Sequence, residues 1–193
     1  MSSSNLQGAT LLGTDDAVRQ LQSGEIIAYP TEAVYGLGCD PFNETAVRRI
    51  LTLKGRPESA GFVLIASNLE QLKPWLGEVD PQLLEKAMTR WPGPVTWLFP
   101  RAEHVPDYVA GHHKTIALRM TAHPASRELC EAFGSAVISS SANPSSSPPA
   151  RSHAEVTEYF SGNIAGTLKG ALGDGERPSE IRDLVTGAVL RQG

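Results

Sequence analysis

The sequence predicts an α/β protein, one domain built on a twisted mixed open sheet flanked by helices. Three observations carry this prediction. Segments with helical spacing of apolar residues alternate with short apolar runs from residue 14 to the end. Hydrophobic residues make up 40% and charged residues 20% of the 193, enough for one packed core and short for two domains. No internal repeat or linker-like stretch interrupts the pattern. Residues 1–9 are polar and are expected to form a loose lead-in to a domain filling the rest of 1–193.

Taken in order, Thr14 is placed to cap a helix through Leu21, stopped by Gly24. Residues 25–29 form a short apolar strand ending at Pro30. Asn43 caps a second helix whose buried stripe is Ala46, Val47, Ile50, Leu51 and Leu53. Gly55 and Pro57 force that helix to end near Lys54. Residues 62–66 make a strand, and Asp80-Pro81 opens a helix through Leu83, Leu84, Ala87 and Met88. Strands follow at 95–99 and 115–120, then a helix from Pro124 to Phe133 closed by Gly134. Residues 136–140 form a buried strand entering a Ser/Pro-rich loop at 141–149. Ser152 and Glu155 form a capping box for a helix with Val156, Tyr159 and Phe160 inward. Residues 181–185, a Thr186-Gly187 turn and residues 188–191 predict a closing hairpin.

Composition excludes several function classes. No stretch approaches eighteen apolar residues, so no membrane span is expected, and without a basic, apolar leader the protein is expected in the cytoplasm. Cys39 and Cys130 are far apart and predict reduced thiols. Of five histidines only His112 and His113 adjoin, with no acidic partner at ligand spacing, so no protein metal site is expected. The net charge of −4 argues against binding nucleic acid through bulk charge, so any anion must meet a local cluster.

Candidate clusters fall just after strand or helix ends, where ligands gather in open α/β sheets. Residues 30–38 (PTEAVYGLG) offer the Thr31 and Tyr35 hydroxyls beside paired glycines, though on composition alone they read first as an ordinary strand-to-helix loop. Lys54 and Arg56 suit either a phosphate clamp or capping of a helix carboxyl end. Ser139, Ser140, Ser141 and Asn143 can grip an anion after an apolar strand, or simply form a loop. Thr115 and Arg119 face the same way along a strand. Residues 178–183 and Arg191 complete the set. The phosphate loop, the third glycine of a dinucleotide fingerprint, the G-x-S-x-G elbow and H-E-x-x-H are all missing.

In combination, PTEAVYGLGCD (30–40), KGRP (54–57), WPGPVT (91–96), TIALRM (115–120), SSSAN (139–143) and PSEIRDLVTGAVLRQG (178–193) resemble the TsaC/YrdC threonylcarbamoyl-AMP synthases, in their short single-domain bacterial form. The resemblance runs in order over nearly the whole chain. It departs at Ala60, at Pro144-Ser145-Ser146 and at Glu180, where relatives often carry other residues. It implies a twisted α/β sheet with a concave basic groove. It also implies formation of threonylcarbamoyl-AMP and pyrophosphate from L-threonine, bicarbonate and ATP, for modification of adenosine 37 in tRNA. By motif, Thr31, Arg119 and Ser179 would contact threonine. Lys54, Arg56, Thr115, Ser139, Ser141, Asn143 and Arg191 would contact ATP, with Lys54 and Arg56 as the catalytic cations and Mg²⁺ held through phosphates. Downstream partners would be the proteins that transfer the threonylcarbamoyl group to tRNA. Two rivals attach to the same resemblance. One is a double-stranded-RNA-binding module, disfavoured by net acidity and by the lack of interleaved basic and aromatic residues. The other is carbamoyl transfer as in hydrogenase maturation, whose extra domains are missing here.

Overall fold

The computed structural model describes residues 10–193, and the expected lead-in at 1–9 lies outside the described residues. The elements run β1 (Leu11–Leu12), α1 (Thr14–Gln22), β2 (Ile27–Pro30), β3 (Tyr35–Gly38), α2 (Glu44–Lys54), β4 (Val63–Ala66), α3 (Pro81–Met88) and β5 (Val95–Pro100). They continue with α4 (Asp107–Ala110), β6 (Thr115–Met120), α5 (Pro124–Phe133), β7 (Val137–Ser141), α6 (His153–Phe160), β8 (Gly166–Leu168), β9 (Glu180–Asp183) and β10 (Val189–Arg191). The strands form one mixed sheet in the order β1-β8-β2-β3-β7-β4-β6-β5-β9-β10.

Alternation along the strands assigns residues to opposite faces of this sheet. Ile27 and Tyr29, Ile65 and Val137 pack with α1 and α5 through Val18, Leu21, Leu129 and Cys130. Their neighbours Ala28, Leu64, Ala66 and Ile138 pack on the other face with Ile50, Trp75, Trp97 and Phe160. Both faces are apolar, which is why these strands read as continuous hydrophobic runs. The second face is covered along most of the sheet. The first is covered by α1 and α5 as far as Ile65 of β4, and beyond it Val63, Ala117, Leu98 and Ile181 of β4, β6, β5 and β9 open onto a concave stretch.

Several expected signals act as anticipated. The Asn43 side chain accepts a hydrogen bond from the Ala46 amide, and Gly55 ends α2 in the left-handed region at φ 59°. Ser152 and Glu155 form the reciprocal capping box. The closing hairpin pairs Val189 with Arg182, and Gly187 takes φ 74° in its turn.

Other expectations need correction. Gly13, not Thr14, precedes α1, and the Thr14 hydroxyl instead donates to Glu128 Oε1 at 2.7 Å. Residues 30–38 are not a plain loop. β3 pairs antiparallel with β2 from Pro30↔Tyr35 to Ile27↔Gly38, with a tight turn at 31–34. A Cβ at Gly38 would stand 2.5 Å from the Ile138 carbonyl oxygen, so glycine here is required by close approach of chains. Short strands β1 and β8 and the single turns Glu58–Ala60 and Lys73–Trp75 carry no periodic signal and were not anticipated.

Candidate active site

The uncovered concave stretch holds a cavity of about 410 Å³, within the usual range for a small-molecule site. Its walls come from segments far apart in sequence. β6 contributes Thr115, Ala117 and Arg119 on one face, while Ile116, Leu118 and Met120 point into the core. The β2–β3 turn contributes Thr31 and Glu32, and the end of β7 contributes Ser139, Ser140 and Ser141. The loop after α2 supplies Arg56, and the terminal hairpin with its approach supplies Arg177, Ser179 and Arg191. Among the expected site residues, all line this cavity except Lys54 and Asn143.

Four arginines (56, 119, 177 and 191) share these walls, and Glu32 is the one carboxylate among the described lining residues. A chain of net charge −4 thus concentrates cations where an anion can enter. Arg191 feels the crowding. Burial lowers its pKa and the Arg119 and Arg56 charges lower it further, although a guanidinium stays protonated throughout. The Nε atoms of Arg56 and Arg119, like Glu32 Oε2, are buried with no hydrogen-bond partner, a costly arrangement that leaves both guanidinium groups with a free donor.

Each arginine is aimed by its neighbours. Arg56 donates to the Gly61 carbonyl at 2.8 Å and lies over the Phe62 ring, 5.7 Å from its centroid. Arg191 donates to the Ser179 carbonyl through Nε at 3.1 Å and Nη2 at 2.7 Å. The Ser179 hydroxyl in turn meets Thr96 Oγ1 at 2.9 Å. Arg119 is 5% exposed, and its Nη1 lies 3.1 Å from Glu32 Oε2. Burial alone would raise the Glu32 pKa. The Arg119 charge and the Thr121 hydroxyl outweigh it and hold this carboxyl below its ordinary value.

Lys54 sits differently from the expectation of an exposed loop cation. It is 4% exposed, and Nζ donates to the Ser141 carbonyl, to the Asn143 carbonyl at 2.7 Å and to Asn143 Oδ1 at 3.4 Å. Burial, with help from the Arg56 charge, pulls its pKa down to about 8. Asn143 donates to the carbonyls of Pro144 and Ser147 at 3.0 and 2.8 Å. This pair therefore shapes the loop that carries Ser139 and Ser141. The Thr31 hydroxyl donates to the Val34 carbonyl at 2.7 Å, leaving its oxygen free to accept from a ligand.

A strap at residues 170–179 lines the cavity with Gly175, Arg177, Pro178 and Ser179. The Gly173 amide donates to the Thr31 carbonyl at 3.0 Å and the Gly175 amide to the Glu32 carbonyl at 2.8 Å. Arg151 adds hydrogen bonds to the carbonyls of Glu176 and Gly175 at 3.2 and 3.3 Å. Sequence reading gave no role to Glu32, Arg177 or His113, all of which line the cavity. A signal existed for Glu32, an acid placed beside Thr31 in a segment otherwise suited to anions.

Among the described residues, no group of three or more His, Cys, Asp or Glu side chains could hold a metal ion, and no helix is long and apolar enough to cross a membrane. A family model described as telomere recombination, Sua5–YciO–YrdC, matches residues 19–193. A threonylcarbamoyl-AMP synthase of Coxiella burnetii is 49% identical over 177 residues, covering 92% of this chain and 95% of its own. One from Pseudomonas savastanoi is 50% identical over 178 residues, again covering 92% and 95%. The crystal structure of Pyrococcus abyssi Sua5 complexed with L-threonine superposes with a TM-score of 0.84 at 34% identity. That match covers 89% of this chain, which spans about half (51%) of the archaeal protein. On sequence, on fold and on the match of nearly its whole length, the chain belongs to the Sua5–YciO–YrdC family.

Proposed function

We infer that this chain is a threonylcarbamoyl-AMP synthase, forming threonylcarbamoyl-AMP and pyrophosphate from L-threonine, bicarbonate and ATP. The supporting observation is the convergence of Arg56, Arg119 and Arg191 with the 139–141 serines on one cavity, in a family whose near relatives carry that name. In this reading Arg119 grips the amino acid's carboxylate, which a planar fork fits, while Thr31 and Ser179 meet its remaining polar groups. Arg56, Thr115, Ser139, Ser141 and Arg191 hold the nucleotide. Lys54 and Asn143 serve ATP by fixing the loop beneath those serines. The whole chain acts as one catalytic domain, and its place is the cytoplasm.

The reaction asks little covalent chemistry of the protein. The free amine and bicarbonate give the carbamate and water. A carbamate oxygen then attacks the α-phosphorus and pyrophosphate leaves. Confining both partners removes most of the entropic barrier and shields a labile carbamate from water. The arginines stabilise charge developing on the phosphates. A magnesium ion would be carried by the phosphates of ATP and would neutralise part of their charge, since the one lining carboxylate, Glu32, is engaged by Arg119, Thr121 and Ala122. The product then supplies the proteins that modify adenosine 37 of tRNA.

The deciding experiment is mass spectrometry of the purified protein with threonine, bicarbonate and ATP, in the absence of tRNA. Threonylcarbamoyl-AMP and pyrophosphate are expected only when all three are present. Tight, salt-resistant RNA binding without that product would overturn this reading in favour of an RNA-binding module.

A further inference from the structure

We propose that Glu32 is a positioning and selectivity residue that fixes Arg119 and reserves it for an amino-acid carboxylate by keeping phosphate groups away. Four arginines in one cavity create a problem for an enzyme with two anionic substrates. A triphosphate carries far more charge than a carboxylate, so an unguarded cation cluster would let it spread over every guanidinium. Glu32 places a fixed negative charge beside one member of the cluster, Arg119. An amino acid arriving as the zwitterion tolerates that charge, because its ammonium offsets it until the amine gives up its proton to form the carbamate. A phosphate group does not, since two like charges brought together in a poorly solvated site repel strongly.

The geometry shows a carboxylate built to stay in place. Oε1 accepts from the Thr121 hydroxyl at 2.6 Å and from the Ala122 amide at 3.1 Å. Oε2 faces Arg119 Nη1 at 3.1 Å. The Glu32 main-chain carbonyl is tied by the Gly175 amide at 2.8 Å, so neither end of the residue is free to swing. Arg119 is nearly buried, and its Nε is left for a ligand. The other three lining arginines form no ion pair with a carboxylate among the described residues, which leaves those three to phosphates. This proposal rests on the reading of Arg119 as the carboxylate site.

Steady-state kinetics of the wild type, Glu32→Gln and Arg119→Lys test it, with inorganic tripolyphosphate as inhibitor. Glutamine keeps an acceptor for Thr121 and Ala122, removes the charge and turns an amide N–H toward Arg119 in place of Oε2. Threonine KM is expected to rise roughly tenfold in Glu32→Gln while ATP KM changes less than about twofold. Tripolyphosphate should compete with ATP alone in the wild type, and with threonine as well in Glu32→Gln. A Glu32→Gln enzyme with unchanged threonine KM, or with only a lowered melting temperature and no new competition, would overturn the proposal. If Arg119→Lys leaves threonine KM unchanged, the underlying carboxylate assignment fails, whatever Glu32 does. Should Glu32→Gln not fold, Thr121→Val unfastens the same carboxylate. The same direction of change at smaller size is expected there, and an unaltered inhibition pattern counts against the idea.

Discussion

Substituting Gly175 with alanine perturbs the strap without replacing a polar side chain of the cavity, though the added Cβ also comes 3.1 Å from Ala33 Cβ. A Cβ at this position would stand 2.7 Å from the Glu32 carbonyl oxygen and 3.2 Å from its carbonyl carbon. Main chain opposes main chain here, so neither party can give way as a flexible side chain would. The strap must lift from the β2–β3 turn. The Gly175→Glu32 hydrogen bond at 2.8 Å is then lost and the Gly173→Thr31 bond at 3.0 Å stretches. At about 0.5–1.5 kcal/mol each, these two bonds amount to roughly 1–3 kcal/mol of local closing energy. The strap should therefore open about 5- to 150-fold more often. Because it carries Arg177 and Ser179 into the cavity, KM for both threonine and ATP should rise while the core stays intact. Amide hydrogen exchange at Gly173 and Gly175 reads the opening directly, with steady-state kinetics alongside. Gly13→Ala, where the nearest atom lies 4.0 Å away, is the control. Wild-type exchange at Gly173 together with unchanged KM values would refute this account of the strap.

Three further outcomes follow from the same geometry. Lys54→Ala should raise ATP KM and also destabilise the fold by about 2 kcal/mol, since it removes a buried amine and orphans two half-buried carbonyls. In a domain of this size that is a fall of roughly 4–8 °C in Tm, and an unchanged melting curve would mean the amine is not structural. Arg119→Lys should harm threonine use more than ATP use, and serine should react more poorly than threonine by about 1–3 kcal/mol; equal damage to both substrates would place Arg119 at the nucleotide. Burial raises the pKa of Tyr29 and Cys39, and takes Cys130 from 9.0 to about 12. Unfolded, these groups ionise from about pH 9, so stability should be whole below that and decline as pH climbs toward 12. Lys54, lowered to about 8, works in the opposite sense, so stability should rise slightly between pH 8 and 9 before the three buried acids take over above that. Denaturant titrations against pH should show a shallower alkaline slope in a Cys39→Ala, Cys130→Ala double variant.

Where local chemistry decides structure, single-sequence reasoning reads it well. Asn43, Gly55, Gly134 and the Ser152–Glu155 box act within one turn of their own helix ends. The Thr115–Arg119 alternation likewise needs only a strand to put both residues on one wall. What escapes is whatever a distant partner settles. Gly36 and Gly38 lower the strand propensity of 35–38, yet pairing with β2 and β7 makes these residues a central strand. Lys54 looks like a surface cation until the 141–143 carbonyls close around it. Glu32 has no visible partner in its own segment, because Arg119 and Thr121 arrive from β6 and just beyond it. Thr14 obeys the statistics of capping residues, but Glu128 on α5 competes for its hydroxyl.

The position of β8 constrains how the chain reaches this fold. β1 and β2 are close in sequence but do not pair with each other; β8 lies between them, Thr167 opposite both Leu11 and Ala28. Both pairings are parallel, and each closes a loop of well over a hundred residues. Contact order of this kind slows folding, since the loop entropy is lost before the ladder rewards it. Until residues 166–168 arrive, β2 keeps an unpaired edge of four apolar or aromatic positions, Ile27–Pro30, able to template a strand from another molecule. Refolding yield should accordingly fall with protein concentration, and the vulnerable interval ends when the Gly166–Leu168 strand docks.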